Sequence, residues 1–221
     1  MNKIFNGAGD ERKVFLPLAE DFPEEECTWL TIGIGGSKTA EEKFHKIYPK
    51  CKIFGAEPGN AGKFADVGTL ISNGVGIEDG EIELSVFENK KYTIVKRKVI
   101  SLTNLLDNYL HSRTLHYLTI DIEGYEHIIL AELVGNGEFA KDGLKICQID
   151  AELHNPKYIM VHPLVKNLNQ VQFILNFLND TSPYIPIYNV PFTFNPHQKV
   201  TFINVLDSEC EKAFKFGSYF Q

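Results

Sequence analysis

Residues 117–126 read YLTIDIEGYE, and this stretch constrains the chain more than any other. Leu118, Ile120 and Ile122 alternate with Thr119, Asp121 and Glu123, which is the two-residue period of a strand. Gly124 follows, and then apolar residues recur at helical spacing. A charge on a buried strand is costly unless it is paired or close to solvent. Strand ends in open α/β sheets are also where ligands collect. Asp121 and Glu123 are therefore candidate site residues, and capping or bracing of local loops is the plain alternative.

The remaining apolar runs fit around that strand. Residues 29–34, WLTIGI, predict a strand that opens into Gly35, Gly36 and Ser37. Thr39 and Glu42 have the spacing of a capping box, and Ala40, Phe44, Ile47 and Tyr48 follow helical periodicity up to Pro49. A glycine turn between a strand and a helix N-terminus lets the backbone approach a ligand and offers it N–H donors. Residues 51–56 predict a second strand ending in Glu57. An acid there, roughly twenty residues past the glycine turn, is placed to accept ribose hydroxyls. Residues 69–77 predict a third strand, broken near its end by Asn73 and Gly74, which read either as an adenine-side loop or as a bulge. Residues 81–88 and 92–99 alternate strongly and predict a hairpin insertion with Asn89, Lys90 and Lys91 at its tip. Ser101 is placed to cap a following helix.

The fifth strand of the series, residues 146–154, reads ICQIDAELH. Cys147, Ile149, Ala151 and Leu153 face one way, and Gln148, Asp150, Glu152 and His154 the other. Parallel sheets are normally buried on both faces, so two polar-lined strands side by side point to a polar site. Leu164, Leu168, Val171, Leu175 and Leu178 predict the apolar stripe of a long helix. Pro186 and Pro191 confine the next strand to a sheet edge, and residues 200–205 return antiparallel to it after a short connection at 195–198.

Composition limits the function classes. A chain of 221 residues fits one domain with a full core, here a lead-in over 1–28 and a single domain over 29–221. Val14, Phe15, Leu16 and Leu18 of the lead-in can dock on the domain. The net charge of -7 leaves nucleic-acid binding without its electrostatic footprint. No run reaches the roughly 18 apolar residues of a membrane span. Asp10, Glu11, Arg12 and Lys13 interrupt any signal-peptide core, so the expected compartment is the cytoplasm, or the secretory pathway for a chain that has lost a leader. The four cysteines lack zinc spacing. Cys51 and Cys147 read as small core residues, while Cys27 and Cys210 are expected to pair only in an oxidising compartment. The Phe-rich tail after Phe214 is expected either to dock or to serve a partner.

The strand–helix alternation closed by an antiparallel hairpin predicts a doubly wound, mostly parallel seven-stranded α/β sheet with an antiparallel last strand and a β-hairpin insertion. The segments TIDIEGYE (119–126), QIDAELH (148–154) and GVGIEDG (74–80) resemble the FkbM-type S-adenosylmethionine-dependent methyltransferases, including their nematode branch, over roughly residues 27–216. That resemblance implies a class I, Rossmann-like methyltransferase fold, S-adenosyl-L-methionine as cofactor, and O-methylation of a sugar, glycan or other small-molecule acceptor. It implies that Gly33, Gly35 and Gly36 cradle the methionyl end, Glu57 holds the ribose, and Asn73, Gly74 and Val75 line the adenine. Asp121 then lies beside the methionyl group or the acceptor. His154 is the preferred general base because its ordinary pKa lies near neutrality, with Glu123 or Glu152 orienting it. No metal is assigned, although Asp121, Glu123 and His154 form a weaker metal-binding variant. One departure stands out: Thr31 occupies the acidic position of the first-strand motif, and Ser37 its third glycine position. A catalytically inactive interaction domain and an NAD-binding oxidoreductase are the alternatives.

Overall fold

The computed structural model describes residues 2–5, 12–88, 91–158, 161–191 and 197–220. The predicted tip of the insertion at Asn89 and Lys90, and residues 195 and 196 of the connection at 195–198, lie outside the described residues.

The strands that carry the site lie in one seven-stranded sheet. Its first strand, β3 (Thr28–Ile32), follows a small antiparallel pair, β1 (Asn2–Phe5) and β2 (Arg12–Phe15). Helix α1 (Thr39–Ile47) leads to β4 (Lys52–Ala56) and then β5 (Thr69–Ile71). Next come β6 (Gly74–Gly76), β7 (Gly80–Glu88), β8 (Lys91–Ser101), α2 (Leu102–Leu105) and β9 (Thr114–Ile120). The rest of the chain supplies α3 (Glu126–Ala131), α4 (Glu138–Lys141), β10 (Lys145–Leu153), α5 (Gln170–Phe177), β11 (Tyr184–Pro191), β12 (Gln198–Asn204) and α6 (Ser208–Phe214). The sheet order is β11-β12-β10-β9-β3-β4-β5. Pairings from β10 through β5 are parallel, and β12 is antiparallel to both β10 and β11. The returning strand thus lies between the fifth strand and the proline-bearing edge strand, as its sequence predicts. The architecture is a mainly parallel mixed sheet, consistent with a Rossmann-like methyltransferase fold.

Apolar side chains cover the sheet on two sides. One cluster joins Leu30, Leu118, Ile120 and Ile149 to Leu102, Leu106, Ile129 and Phe177. The other gathers Trp29, Tyr117, Phe44 and Phe214 around Phe15 of β2. Phe15, Trp29, Phe44, Tyr117 and Phe214 meet edge to face with centroids 4.3–5.5 Å apart, at the close end of the favoured aromatic range. Docking of Val14, Phe15 and Leu16, all buried, fastens the lead-in to the sheet. In the tail, Phe216 is buried against Phe214 and Phe220 is exposed.

Several local expectations are corrected. The third strand splits: β5 stays in the main sheet, while β6 joins β7 and β8 in a separate three-stranded sheet. The capping box at Thr39 does not form, because the helix starts at Thr39 itself and its N-cap Lys38 makes no side-chain cap. Lys38 instead pairs with Glu42 and Asp66. Helix α4 was not anticipated. Helix α5 is eight residues long, and its predicted stripe holds only at the flanks, where Leu168 and Leu178 pack against the core. Leu164, Val171 and Leu175 are exposed, and Phe173 and Phe177 are buried instead. Phe177 packs on Tyr184 and Phe202 at 5.2 and 5.0 Å, so the wider aromatic rings take the core face. The cysteines pair Cys27–Cys51 and Cys147–Cys210, not Cys27 with Cys210. The first bridge ties the residue before β3 to the residue before β4, and the second ties β10 to α6.

Candidate active site

Strand β9 ends at Ile120, three residues earlier than its apolar alternation predicts. The Asp121 amide still donates to Ile32 O at 3.0 Å, which ties the ends of β9 and β3 together. Glu123 lies beyond the strand with φ +53°, and Gly124 follows at +99°. A left-handed non-glycine residue is uncommon and merits attention. Its effect here is to turn the Glu123 carboxylate back toward His154: Nε2 lies 3.3 Å from Oε2. Strand parity, the reason for grouping Glu123 with Asp121, is thus replaced by a turn that achieves the same convergence.

His154 is the centre of this convergence. On one side its backbone N–H donates to Glu126 Oε1 at 2.8 Å, and its Nδ1 lies 3.1 Å from the same oxygen. On the other, Nε2 faces Asp121 Oδ1 at 3.8 Å and Glu152 Oε1 at 3.9 Å. Glu126 is itself fixed by the Gly124 amide at 2.8 Å. Burial alone would depress the His154 pKa, but Glu126, Asp121 and Glu123 hold it up, to about 10. Burial pushes Glu126 up, and the His154 and His127 rings outweigh this and draw it below the usual carboxylate range. Burial, then Glu152, lifts Asp121 well above that range, and burial lifts Glu123. The surrounding acidic side chains thus favour the imidazolium form of the ring.

A cavity of ≈ 230 Å³ opens beside this cluster. Of the residues singled out in the sequence, Gly33, Gly35, Glu57, Gly74, Val75, Asp121 and Glu123 line it. Gly36, Asn73, Glu152 and His154 do not: Gly36 packs on Asn60, and Glu152 and His154 sit behind Asp121 and Glu123. Gly33 is required by crowding as well as by its φ of +84°, since a Cβ there would meet Asp121 O at 1.9 Å. Gly35, with φ +60°, has open space where a Cβ would be. Glu57 organises the glycine turn: Oε2 accepts from the Ile34 and Gly35 amides at 3.0 and 3.2 Å, and Oε1 from Gly59 at 2.7 Å.

The polar line of β10 divides in two. Gln148 and Asp150 brace the lead-in, accepting from the Leu16 and Val14 amides at 2.8 and 3.0 Å, while Glu152 and His154 join the carboxylate cluster. Alternation reveals a polar face but not which partner each position meets. Two lysines on the cavity wall escaped the sequence reading, Lys13 of β2 and Lys199 of β12. Lys199 pairs with Glu152 at 3.1 Å. Lys13 ends a directed chain: Trp29 Nε1 donates to Thr119, Thr119 to Thr31, and Thr31 to Glu41 Oε1 at 2.7 Å, which Lys13 also meets at 3.0 Å. A fully buried carboxylate from α1 therefore stands beside the Thr31 hydroxyl, where the first-strand motif has its acid. Only the tertiary fold brings Glu41 there. The insertion contributes Leu84, Ser85, Val86 and Tyr92 to the wall, latched by the His162 ring on Glu83 O at 2.5 Å.

No curated protein and no solved structure matches the chain. A family model for the methyltransferase FkbM domain matches residues 4–182, which takes in β3 through α5 and every carboxylate around His154 but leaves β12 outside. With most of its length and all of its candidate site except Lys199 inside that match, the chain belongs to the FkbM methyltransferase domain family.

Proposed function

We propose that this protein is an S-adenosyl-L-methionine-dependent O-methyltransferase acting on a hydroxyl of a sugar, glycan or other small molecule. The observation that carries the reading is the cavity shared by the Glu57-braced glycine turn and the Asp121–Glu123 carboxylates. The residues suit the cofactor. Gly35 leaves open space at the turn, Glu57 ends β4 with its carboxylate on the cavity, and Gly74 and Val75 form an apolar wall farther along. Glu41 and Lys13 restore, from outside the strand, the charged groups that Thr31 does not supply. When bound, the cofactor provides an electrophilic methyl carbon, so the protein's task is placement and proton removal.

In this reading Asp121 receives the acceptor proton. It faces the cavity, and burial with Glu152 nearby raises its pKa, the direction that makes a carboxylate a stronger base. His154 acts through Asp121 and Glu123 as their positively charged anchor. This changes the role expected for His154, because an imidazolium held near pH 10 cannot accept a proton at neutrality. The two buried disulfides favour an oxidising compartment over the cytoplasm. No helix among the described residues is long and apolar enough to cross a membrane.

Calorimetric titration with S-adenosylmethionine, S-adenosylhomocysteine and NAD tests the assignment. Saturable binding of the first two and none of NAD is the expected result. Binding of NAD alone would move the protein to the oxidoreductases, and binding of none would make it an inactive member of the fold.

A further inference from the structure

We propose that Asp121, Glu152 and His154, with Glu123 beside them, bind a single divalent cation at the edge of the cavity. One ligand atom from each of the first three lies within 4.8 Å of the others. Two ligands each about 2.1 Å from one ion stand about 3.0 Å apart in cis and about 4.2 Å in trans. The distances from His154 Nε2 to the carboxylates of Glu123, Asp121 and Glu152 are 3.3, 3.8 and 3.9 Å, inside that span. Small rotations of side chains close the polyhedron.

Hydrogen-bond stoichiometry points the same way. Nε2 can carry one proton and donate one hydrogen bond, yet three carboxylates converge on it. Lys199 holds the outer oxygen of Glu152, with Nζ 3.1 Å from Oε2, while Oε1 faces Nε2. The opposite ring nitrogen is held by Glu126, which is fixed in turn by the Gly124 amide. A carboxylate on the far nitrogen is the usual way a metal-binding histidine is oriented. The Nε2 proton then occupies the place a cation would take. Access is open, since the Asp121 side chain is 33 % exposed and lines the cavity with Glu123.

Three carboxylates and one imidazole, with no thiolate, select a hard or borderline ion of the Mg²⁺ or Mn²⁺ kind. Held there, it would replace the His154 proton as the positive charge beside Asp121 and Glu123, and it would lower the pKa of a hydroxyl bound to it. That consequence rests on the methyl-transfer reading, whereas cation binding itself does not.

The test uses full-length protein stripped with EDTA and titrated with Mn²⁺, read by loss of the free-ion paramagnetic resonance signal. The expected result is one ion per chain bound below about 1 mM. Asp121→Asn and Glu152→Gln should each weaken it about tenfold or more, and the exposed Asp66→Asn should not. Circular dichroism establishes that the variants are folded, and the wild-type titration decides the matter without them. Absence of saturable binding to wild type, or undiminished binding in a folded Asp121→Asn variant, overturns the proposal. S-adenosylhomocysteine titrated separately into the stripped protein separates the two readings. Its binding without any Mn²⁺ site sinks only the cation, and a Mn²⁺ site without it sinks only the methyltransferase.

Discussion

Glu57 serves two ends with one carboxylate: it faces the cavity, and it holds the amides of Ile34, Gly35 and Gly59. Glu57→Ala is expected to weaken S-adenosylhomocysteine binding by about 1–3 kcal/mol, the cost of leaving such groups unpaired. Unchanged affinity in a folded variant would place the ribose elsewhere. His116 gives a second residue-scale prediction, far from the cavity. Its Nδ1 accepts from the Thr28 amide at 3.2 Å, which requires the neutral ring. Burial, with help from Lys212, lowers its pKa to about 4. The unfolded chain takes this proton near pH 6.5, so between 6.5 and 4 it binds more protons than the folded protein. Stability therefore rises with pH across that window, is complete above it, and is lost as the pH falls toward 4. The full difference is about 3 kcal/mol. Urea unfolding of wild type and His116→Gln at pH 7 and pH 4.5 checks this, the variant being expected to lose less; equal losses would exclude His116 as the cause.

At the scale of elements, β2 and the β7–β8 insertion decide the shape of the site. Strand β2 brings Lys13 against Glu41, with both side chains almost wholly buried. Removing one member of such a pair strands the other charge, so Lys13→Met is expected to cost about 3–5 kcal/mol. The double variant Lys13→Met, Glu41→Leu should recover much of that loss in chemical denaturation. A double variant no more stable than Lys13→Met alone would show that the ion pair is not what holds β2 in place. The insertion presents Leu84, Val86 and Tyr92 to the cavity. Tyr92→Phe is expected to change acceptor KM more than cofactor affinity, because the Tyr92 side chain hydrogen-bonds Glu123 rather than the glycine turn. The reverse pattern in steady-state kinetics would place the cofactor against the insertion.

For the whole molecule, the disulfides link segments 24 and 63 residues apart in sequence. Loop-closure entropy assigns them about 3 and about 4 kcal/mol respectively. Cys147→Ala with Cys210→Ala should therefore lower unfolding free energy more than Cys27→Ala with Cys51→Ala, measured without reductant. If reductant leaves the wild-type denaturation midpoint unchanged, the bridges are absent in solution and the case for an oxidising compartment falls with them.

The sequence by itself determined the strand–helix alternation, the glycine turn with Glu57, the proline-confined edge strand and the antiparallel return of β12. Each of these is local chemistry: period-two apolar runs, residues that tolerate left-handed backbone, and a ring that cannot donate to a neighbouring strand. It also marked Asp121, Glu123, Glu152 and His154, because charges in apolar runs stand out before their partners are known. Tertiary structure alone decided who those partners are. Glu126 anchors His154, Gln148 and Asp150 receive the lead-in, Glu41 stands in for the acid missing at Thr31, and Phe173 and Phe177 displace the expected leucines from the core. Cysteine pairing belongs with these. Side-chain partners more than a turn or a strand apart depend on sheet order and packing, which leave no period in the chain.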